Sequence, residues 1–375
     1  MADSFVIDQK ELFTVLSSMQ PICAKRTTLD VTSCILFHIG HKEITLKSTD
    51  LEISLQSRCA IQECSVIDNK SFLVPGKRIF DIVKELDGEL KFYISDRDIS
   101  LFSNNVELAL NIKSVEEFPP FPERIENLMD MEASFLLSLL DKVSFLIPQN
   151  NANQALNGLF MELTSQEMKL TSTDGHCLAQ VRTSHYSLPE TRTWLIPRRA
   201  VFELKKVIDS SKVTTIFLGM CGNQLVFSGE SFNFFTKLLA DQFPEYTSIL
   251  DKEGFIPAKI ARANLIKTLR RSTCLLSGQF LATQFEFNKD VLHVSMQNKE
   301  VGQLKEVVPL ENFQHDEIDI RFYAPYLLNG LVSFPDELIT FYLKNETRPI
   351  MFDLERTEYH MIYLVMPVSP TVSQS

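Results

Sequence analysis

Apolar residues recur at helical spacing in six stretches of the chain and alternate with polar ones in many shorter stretches. Leu12, Val15, Leu16 and Met19, at steps of three and four, predict a helix over 6–19. Ile79, Phe80, Ile82 and Val83 predict a second over 77–86, entered through Pro75-Gly76. The same spacing predicts helices over 134–146, 198–208, 262–276 and 325–333. Residues 51–60 set Leu, Ile and Leu against Glu, Ser and Gln, as a half-buried strand does. A hairpin is expected where 35–39 and 43–47 flank Gly40-His41-Lys42. Further strands are predicted at 72–74, across 90–112, at 158–163, 168–172, 177–183 and 194–196, and across 214–239, where Gly219 to Gly222 read as a hairpin turn. The last part of the chain adds strands at 282–287, 291–297, 338–344, 350–354 and 361–366.

These elements come in the same order three times. Thr49-Asp50 returns as Thr173-Asp174 after 124 residues, and another 124 reach Gln297-Asn298. Pro75-Gly76-Lys77 returns as Pro197-Arg198-Arg199 after 122, and Phe118-Pro119 as Phe243-Pro244 after 125. That period is too long for a solenoid unit and is the size of a domain. The pattern predicts three tandem α+β domains over 1–128, 129–254 and 255–375, each with two helices and about eight antiparallel strands. Proline-bearing segments at 117–123 and 251–257 mark the boundaries, and the tail 369–375 is expected to be disordered.

Charge changes this picture more than composition does. At 375 residues and 45% apolar the chain is ordinary for a globular protein, and its net charge of −11 argues at first against a polyanionic partner. However, the helical stretches 198–208 and 262–276 together carry +7, which leaves −18 on the rest of the chain. Such segregation concentrates positive potential on particular helices and raises nucleic acid as a partner. There is no run of 18 apolar residues and no secretory leader at Met1-Ala2-Asp3-Ser4. Seven scattered cysteines without CxxC spacing predict reduced thiols and no metal site. A cytoplasmic protein without membrane association is expected.

Candidates for catalysis are few. Thr173-Asp174-Gly175-His176 gathers the most reactive side chains, with Thr173 or Cys177 as a nucleophile and Asp174 orienting His176. That makes a hydrolase or transferase the alternative reading. Against it, Asp-Gly is turn chemistry, and the matching Asp50 is followed by Leu51 with no histidine. No phosphate loop, HExxH or GxSxG occurs, so a non-catalytic binding protein without a cofactor is favoured. A scaffold that binds only protein is a third reading.

Leu156-Asn157-Gly158, Thr173-Asp174-Gly175-His176-Cys177-Leu178-Ala179, Phe243-Pro244-Glu245-Tyr246 and the terminal Val365-Met366-Pro367-Val368 carry a resemblance over essentially the whole chain. It resembles the bacterial sliding clamps, the β subunits of DNA polymerase III. The resemblance implies two protomers joined head to tail into a six-domain ring around double-stranded DNA, and a processivity role without catalysis. The DNA-facing residues it implies are Arg26, Lys77, Arg78, Gln149, Arg198, Arg199, Lys205 and Lys206. Lys267, Arg270 and Arg271 join them on the charge argument alone. Contacts to phosphates would be blind to sequence and weakened by salt.

The resemblance further implies a groove for short peptides of the polymerase alpha subunit, the clamp-loader delta subunit, other polymerases and repair proteins. It maps to Leu156, Thr173, Gly175, His176, Leu178, Pro244, Ile249, Tyr326, Pro349, Val365, Met366 and Pro367. The homodimer interface is expected to set an edge strand at Leu108 and Leu110 against Leu275, Leu276 and a strand near Glu300. The chain departs from the family pattern in several places. Cys177 replaces an arginine, Thr247-Ser248 replaces a basic residue, Leu29-Asp30-Val31 replaces Pro-Ile-Leu, and the tail continues past Val368. Lost positive charge at the groove rim bears on which peptides are preferred.

Overall fold

A computed structural model describes residues 3–23, 29–122, 124–276, 281–315 and 317–368. Arg26 and the tail 369–375 therefore lie outside the described residues.

The first repeat holds β1 (Asp3–Asp8), α1 (Gln9–Met19), β2 (Cys34–Ile39), β3 (Glu43–Thr49), β4 (Ile53–Ala60), β5 (Glu63–Cys64), β6 (Lys70–Pro75), α2 (Gly76–Lys84), β7 (Glu89–Ile94), β8 (Asp98–Ser103) and β9 (Val106–Asn111). The second holds β10 (Glu126–Glu132), α3 (Ala133–Ser144), β11 (Gly158–Leu163), β12 (Met168–Thr173), β13 (Cys177–Thr183), β14 (Arg192–Pro197), α4 (Arg198–Ser211), β15 (Thr215–Cys221), β16 (Gln224–Ser228) and β17 (Phe232–Lys237). The third holds β18 (Ile256–Ala261), α5 (Arg262–Thr273), β19 (Thr283–Phe287), β20 (Val291–Asn298), β21 (Gly302–Glu311), β22 (Ile318–Phe322), α6 (Ala324–Leu331), β23 (Leu338–Leu343), β24 (Ile350–Glu355) and β25 (His360–Val365). Three tandem α+β domains, two helices to each, are thus present among the described residues.

Local chemistry explains where the elements start. Residues 6–8 form strand, not helix, because extended Asp8 caps α1, its carboxylate accepting from the amides of Lys10 at 2.9 Å and Glu11 at 3.1 Å. Gly219 lies within β15 and not in a turn. A side chain there would strike the Glu126 carbonyl, so glycine permits close approach of β10, and the turn falls at Gly222 with φ 58°. Glu300 likewise sits in the turn between β20 and β21 rather than in a strand, its amide bonded to the Asn298 side chain.

The strands do not respect the repeats. One sheet runs β5-β1-β7-β8-β9, a second β10-β15-β16-β17-β4-β3-β2-β6, and a third β14-β11-β12-β13-β25-β24-β23-β18-β21-β20-β19-β22. Strand β17 of the second repeat pairs with β4 of the first, and β13 with β25 of the third. The chain consequently divides into two compact units that cut through the second repeat, 1–137 with 199–238 and 138–198 with 239–375.

In the first unit α1 buries Leu12, Leu16 and Met19 completely, and Phe5 stacks on Phe92 at 4.7 Å. In the second, Phe285, Phe322, Phe341 and Phe352 are fully buried. There Gly330 of α6 lies flat against the Tyr363 ring, where any Cβ would collide. Removing water from such apolar faces is the main source of stability in each unit.

Candidate functional site

The Thr-Asp-Gly-His segment is a turn joining β12 to β13. The Thr173 hydroxyl donates to the Cys177 carbonyl at 2.6 Å and accepts from the Gly175 amide at 3.1 Å. The Asp174 carboxylate accepts from the amides of His176 at 2.8 Å and Cys177 at 2.7 Å. Gly175 takes φ 92°, a conformation that favours glycine. Among the described residues, the Asp174 carboxylate makes no hydrogen bond to the His176 ring. Cys177 is buried, and burial, followed by the nearby Asp174 charge, pushes its thiol well above the ordinary range. It is therefore a poor nucleophile. The cluster lacks the geometry of a catalytic dyad.

What the turn does is present His176. The exposed imidazole stacks on Tyr326 of α6 at 5.3 Å between centroids, with the rings 17° from parallel. The Met366 amide donates to the His176 carbonyl at 2.9 Å, which lays the segment after β25 against the turn. Tyr326 is held in turn, its backbone carbonyl accepting from the Tyr363 hydroxyl at 2.6 Å. Gly175 faces Leu156, so Leu156, Gly175, His176, Tyr326, Met366 and Pro367 converge around one surface. Leu178 pairs with Leu364 across β13 and β25 and joins Phe243 and Tyr246 in an apolar cluster. Ile249 and Pro244 are exposed beside that cluster, and Thr173 is half-buried. Leu156 and Leu178 are themselves buried, and so are Val365 and Pro349. Val365 is completely buried, so it shapes the surface from beneath and offers none of its own.

Farther along the same face, Arg182 and His360 are the rung of the ladder four pairs beyond Leu178 and Leu364. Arg182 Nε donates to His360 Nδ1 at 2.9 Å, so the proton sits on Nε2, 2.7 Å from Asp353. Asp353 also pairs with Lys252. Burial, with help from Arg182 and Lys252, lowers the His360 pKa to about 4 and keeps the ring neutral. Sequence reading missed this cluster, whose members lie far apart in the chain.

The basic residues are less uniform than their sequence suggests. Lys77 and Arg78 on α2, and Lys267 and Arg270 on α5, are exposed and make no salt bridge among the described residues. Arg199 instead pairs with Asp50 and donates to the Pro21 carbonyl at 2.8 Å. Arg198 Nε donates to the Ile147 carbonyl at 2.9 Å, and Lys206 pairs with Glu203. Lys205 lies over the Phe202 ring, Arg271 pairs with Glu306 of β21, and Gln149 is exposed.

The expected interface residues occupy two places. Leu108 and Leu110 lie on β9, at the edge of the five-stranded sheet, with Leu108 36% exposed. Leu275 accepts a hydrogen bond from the Asn298 side chain at 2.6 Å, which brings Leu275 and Leu276 to the turn carrying Glu300. Among the described residues no group of three His, Cys, Asp or Glu side chains could hold a metal ion, and no helix is long and apolar enough to cross a membrane.

Three family models match nearly end to end. They are the N-terminal domain of the DNA polymerase III beta subunit over residues 3–122, its central domain over 130–245 and its C-terminal domain over 247–369. The chain is 24% identical to the beta sliding clamp of Chlamydia muridarum, covering 97% of this chain and 98% of that one. It is 25% identical to the beta sliding clamp of Pseudomonas putida, covering 97% and 99%. Its fold is that of the DNA polymerase sliding clamp of Pseudomonas aeruginosa, with a TM-score of 0.90 at 21% identity over 98% of this chain and 100% of that one. The DNA polymerase III beta subunit of Thermotoga maritima superposes with a TM-score of 0.89 at 21% identity, covering 98% and 100%.

Proposed function

The chain belongs to the DNA polymerase III beta-subunit family, the beta sliding clamps, and we propose that it acts as a non-catalytic tether that encircles duplex DNA and holds replication proteins on it. The observation that carries this reading is the turn at Thr173–Cys177. Its polar side chains are spent on backbone amides, while the imidazole and its tyrosine neighbour are displayed as a surface. That arrangement binds and does no chemistry. Apolar anchors of a short peptide would seat against Leu156, Leu178, His176, Tyr326 and Met366, with backbone bonds fixing its direction. The polymerase alpha subunit, the clamp-loader delta subunit, other polymerases and repair proteins are the partners that fit.

Two copies joined head to tail would place six domains around the duplex in the cytoplasm. We set the repeats of each copy at 1–128, 129–254 and 255–375. Lys77, Arg78, Lys267 and Arg270 are exposed and make no salt bridge among the described residues, which suits them to phosphates. Arg199 and Arg271, already paired, would contribute less. Topological linkage, not tight contact, would then keep the ring in place.

The test is retention. Clamp loaded on nicked circular duplex should remain through gel filtration, and linearising the same DNA should release it. Equal loss from both forms would refute encirclement.

A further inference from the structure

Strand β9 and most of β21 each lack a neighbour on one side among the described residues, and each carries one outward charge. Strand β9 ends its sheet. The Ile112 amide bonds to the Arg97 carbonyl at 3.0 Å, and antiparallel ladders alternate bonded with non-bonded pairs. Carried along the register of β8 with β9, this turns the backbone groups of Val106, Leu108 and Leu110 toward β8. Those of Glu107, Ala109 and Asn111 point away from the sheet.

Strand β21 is paired with β20 along its length, but on its other side β18 takes only Leu310 and Glu311. The Leu310 amide bonds to Asp290 at 2.8 Å, so Leu304, Glu306 and Val308 face β20 while Gln303, Lys305 and Val307 face outward. Both stretches expose apolar side chains, with Val106 41%, Leu108 36% and Val307 56% accessible. An open, partly apolar edge is a template for another strand.

The charges are sparse and opposite. Glu107 is the only ionisable residue of β9, and the residue across from it on β8 is Phe102. On the free stretch of β21 there are two, but Glu306 bonds toward β20 and is paired with Arg271. Lys305 remains, opposite Ser295 and without a salt bridge among the described residues. Glu107 and Lys305 each lie on the face of their sheet opposite its buried residues, since Leu108 meets Leu101 and Leu304 meets Met296 on the buried side.

We infer that Glu107 of one copy pairs with Lys305 of a second, and that this opposition selects β9-to-β21 joining over joining of like edges. The inference rests on the head-to-tail ring proposed above. In an antiparallel joint the outward residues 107, 109 and 111 meet 303, 305 and 307. Glu107 then falls directly opposite Lys305 or on the diagonal beside it, and the long lysine reaches in either register. Two β9 edges would set Glu107 against Glu107, and two β21 edges Lys305 against Lys305. Like-with-like joining is thereby disfavoured on both edges, and the heterologous joint, made twice, closes a two-copy ring.

Sedimentation equilibrium of the full-length chain decides it. Glu107→Lys and Lys305→Glu should each weaken dimerisation about five-fold per joint, hence about twenty-five-fold for a ring closed through two. The doubly swapped chain should recover to within about three-fold of wild type. Mixing the two single variants should restore dimers as well, since both joints of the mixed ring then hold opposite charges. These differences should collapse near 1 M salt, where screening acts within about 3 Å. Wild-type association untouched by the single swaps, or no recovery in the double swap, overturns the charge pair and leaves the ring standing. A wild-type chain that stays monomeric at every concentration overturns the ring itself.

Discussion

The turn at Thr49–Ile53 and the turn at Thr173–Cys177 are built alike and used differently. In both, the threonine hydroxyl bonds the carbonyl four residues on, and the aspartate carboxylate accepts two backbone amides, those of Glu52 and Ile53 at 3.0 and 2.8 Å in the first. The left-handed position is Leu51 at φ 77° in one and Gly175 at φ 92° in the other. The second oxygen of Asp50 is taken by Arg199, which seals the first turn into its unit. At the second turn the next residue is His176, stacked on Tyr326 and open to a ligand. A repeated turn is thus structural by default, and the proposed binding role falls on the copy left unsealed.

The comparison breaks first at the aspartates. Asp50→Ala removes two amide acceptors and leaves Arg199 unpaired, so urea denaturation should show a loss of about 3 kcal/mol. Asp174→Ala removes only the amide acceptors and should cost about 2 kcal/mol. A larger loss at Asp174 would mean that the second turn is the more sealed of the two. His176→Ala should leave stability within about 0.5 kcal/mol, since the ring is exposed. It should weaken an apolar clamp-binding peptide about ten-fold by fluorescence anisotropy, the loss expected for an aromatic anchor. Unchanged binding would remove His176 from the groove.

Acid should act on the second unit through His360. Its folded pKa of about 4 lies below the unfolded value near 6.5, so between those limits the unfolded chain binds a proton that the folded one refuses. This contribution is intact above pH 6.5, fades as pH falls, and is fully lost below about 4. In His360→Gln the slope of melting temperature against pH across that window should flatten; an unaltered slope would assign it to other groups. The smallest expected effect is at Leu51, which is 45% exposed and so gives up little burial. Leu51→Asn suits the left-handed backbone better and should stabilise by about 0.5 kcal/mol in thermal melts.

Much of this was legible in the sequence because it is local. Strands β11 and β13, the start of α4 and the paired Thr-Asp turns follow from spacing and turn chemistry alone. Strand β21 was missed because Lys305, Glu306 and Pro309 interrupt the alternation of Leu304, Val308 and Leu310. The Arg199 ion pair spans 149 residues of sequence, and no local pattern announces such a partner. Val365 reads as a groove residue by its place in a motif, yet pairing on both sides, with Cys177 and Ile350, buries it. The residues of the proposed groove were therefore legible as a set of motifs, while the division between exposed and buried members required the sheet.

The seams where repeats meet, β17 on β4 and β13 on β25, are ladders of main-chain hydrogen bonds over five and six register pairs. Main-chain groups are the same whatever side chain is attached. Joints made this way are largely transparent to mutation, so the residues at a seam can be replaced over generations without loosening it. Such seams let this chain keep its neighbours' architecture while only about one position in four still agrees with a relative.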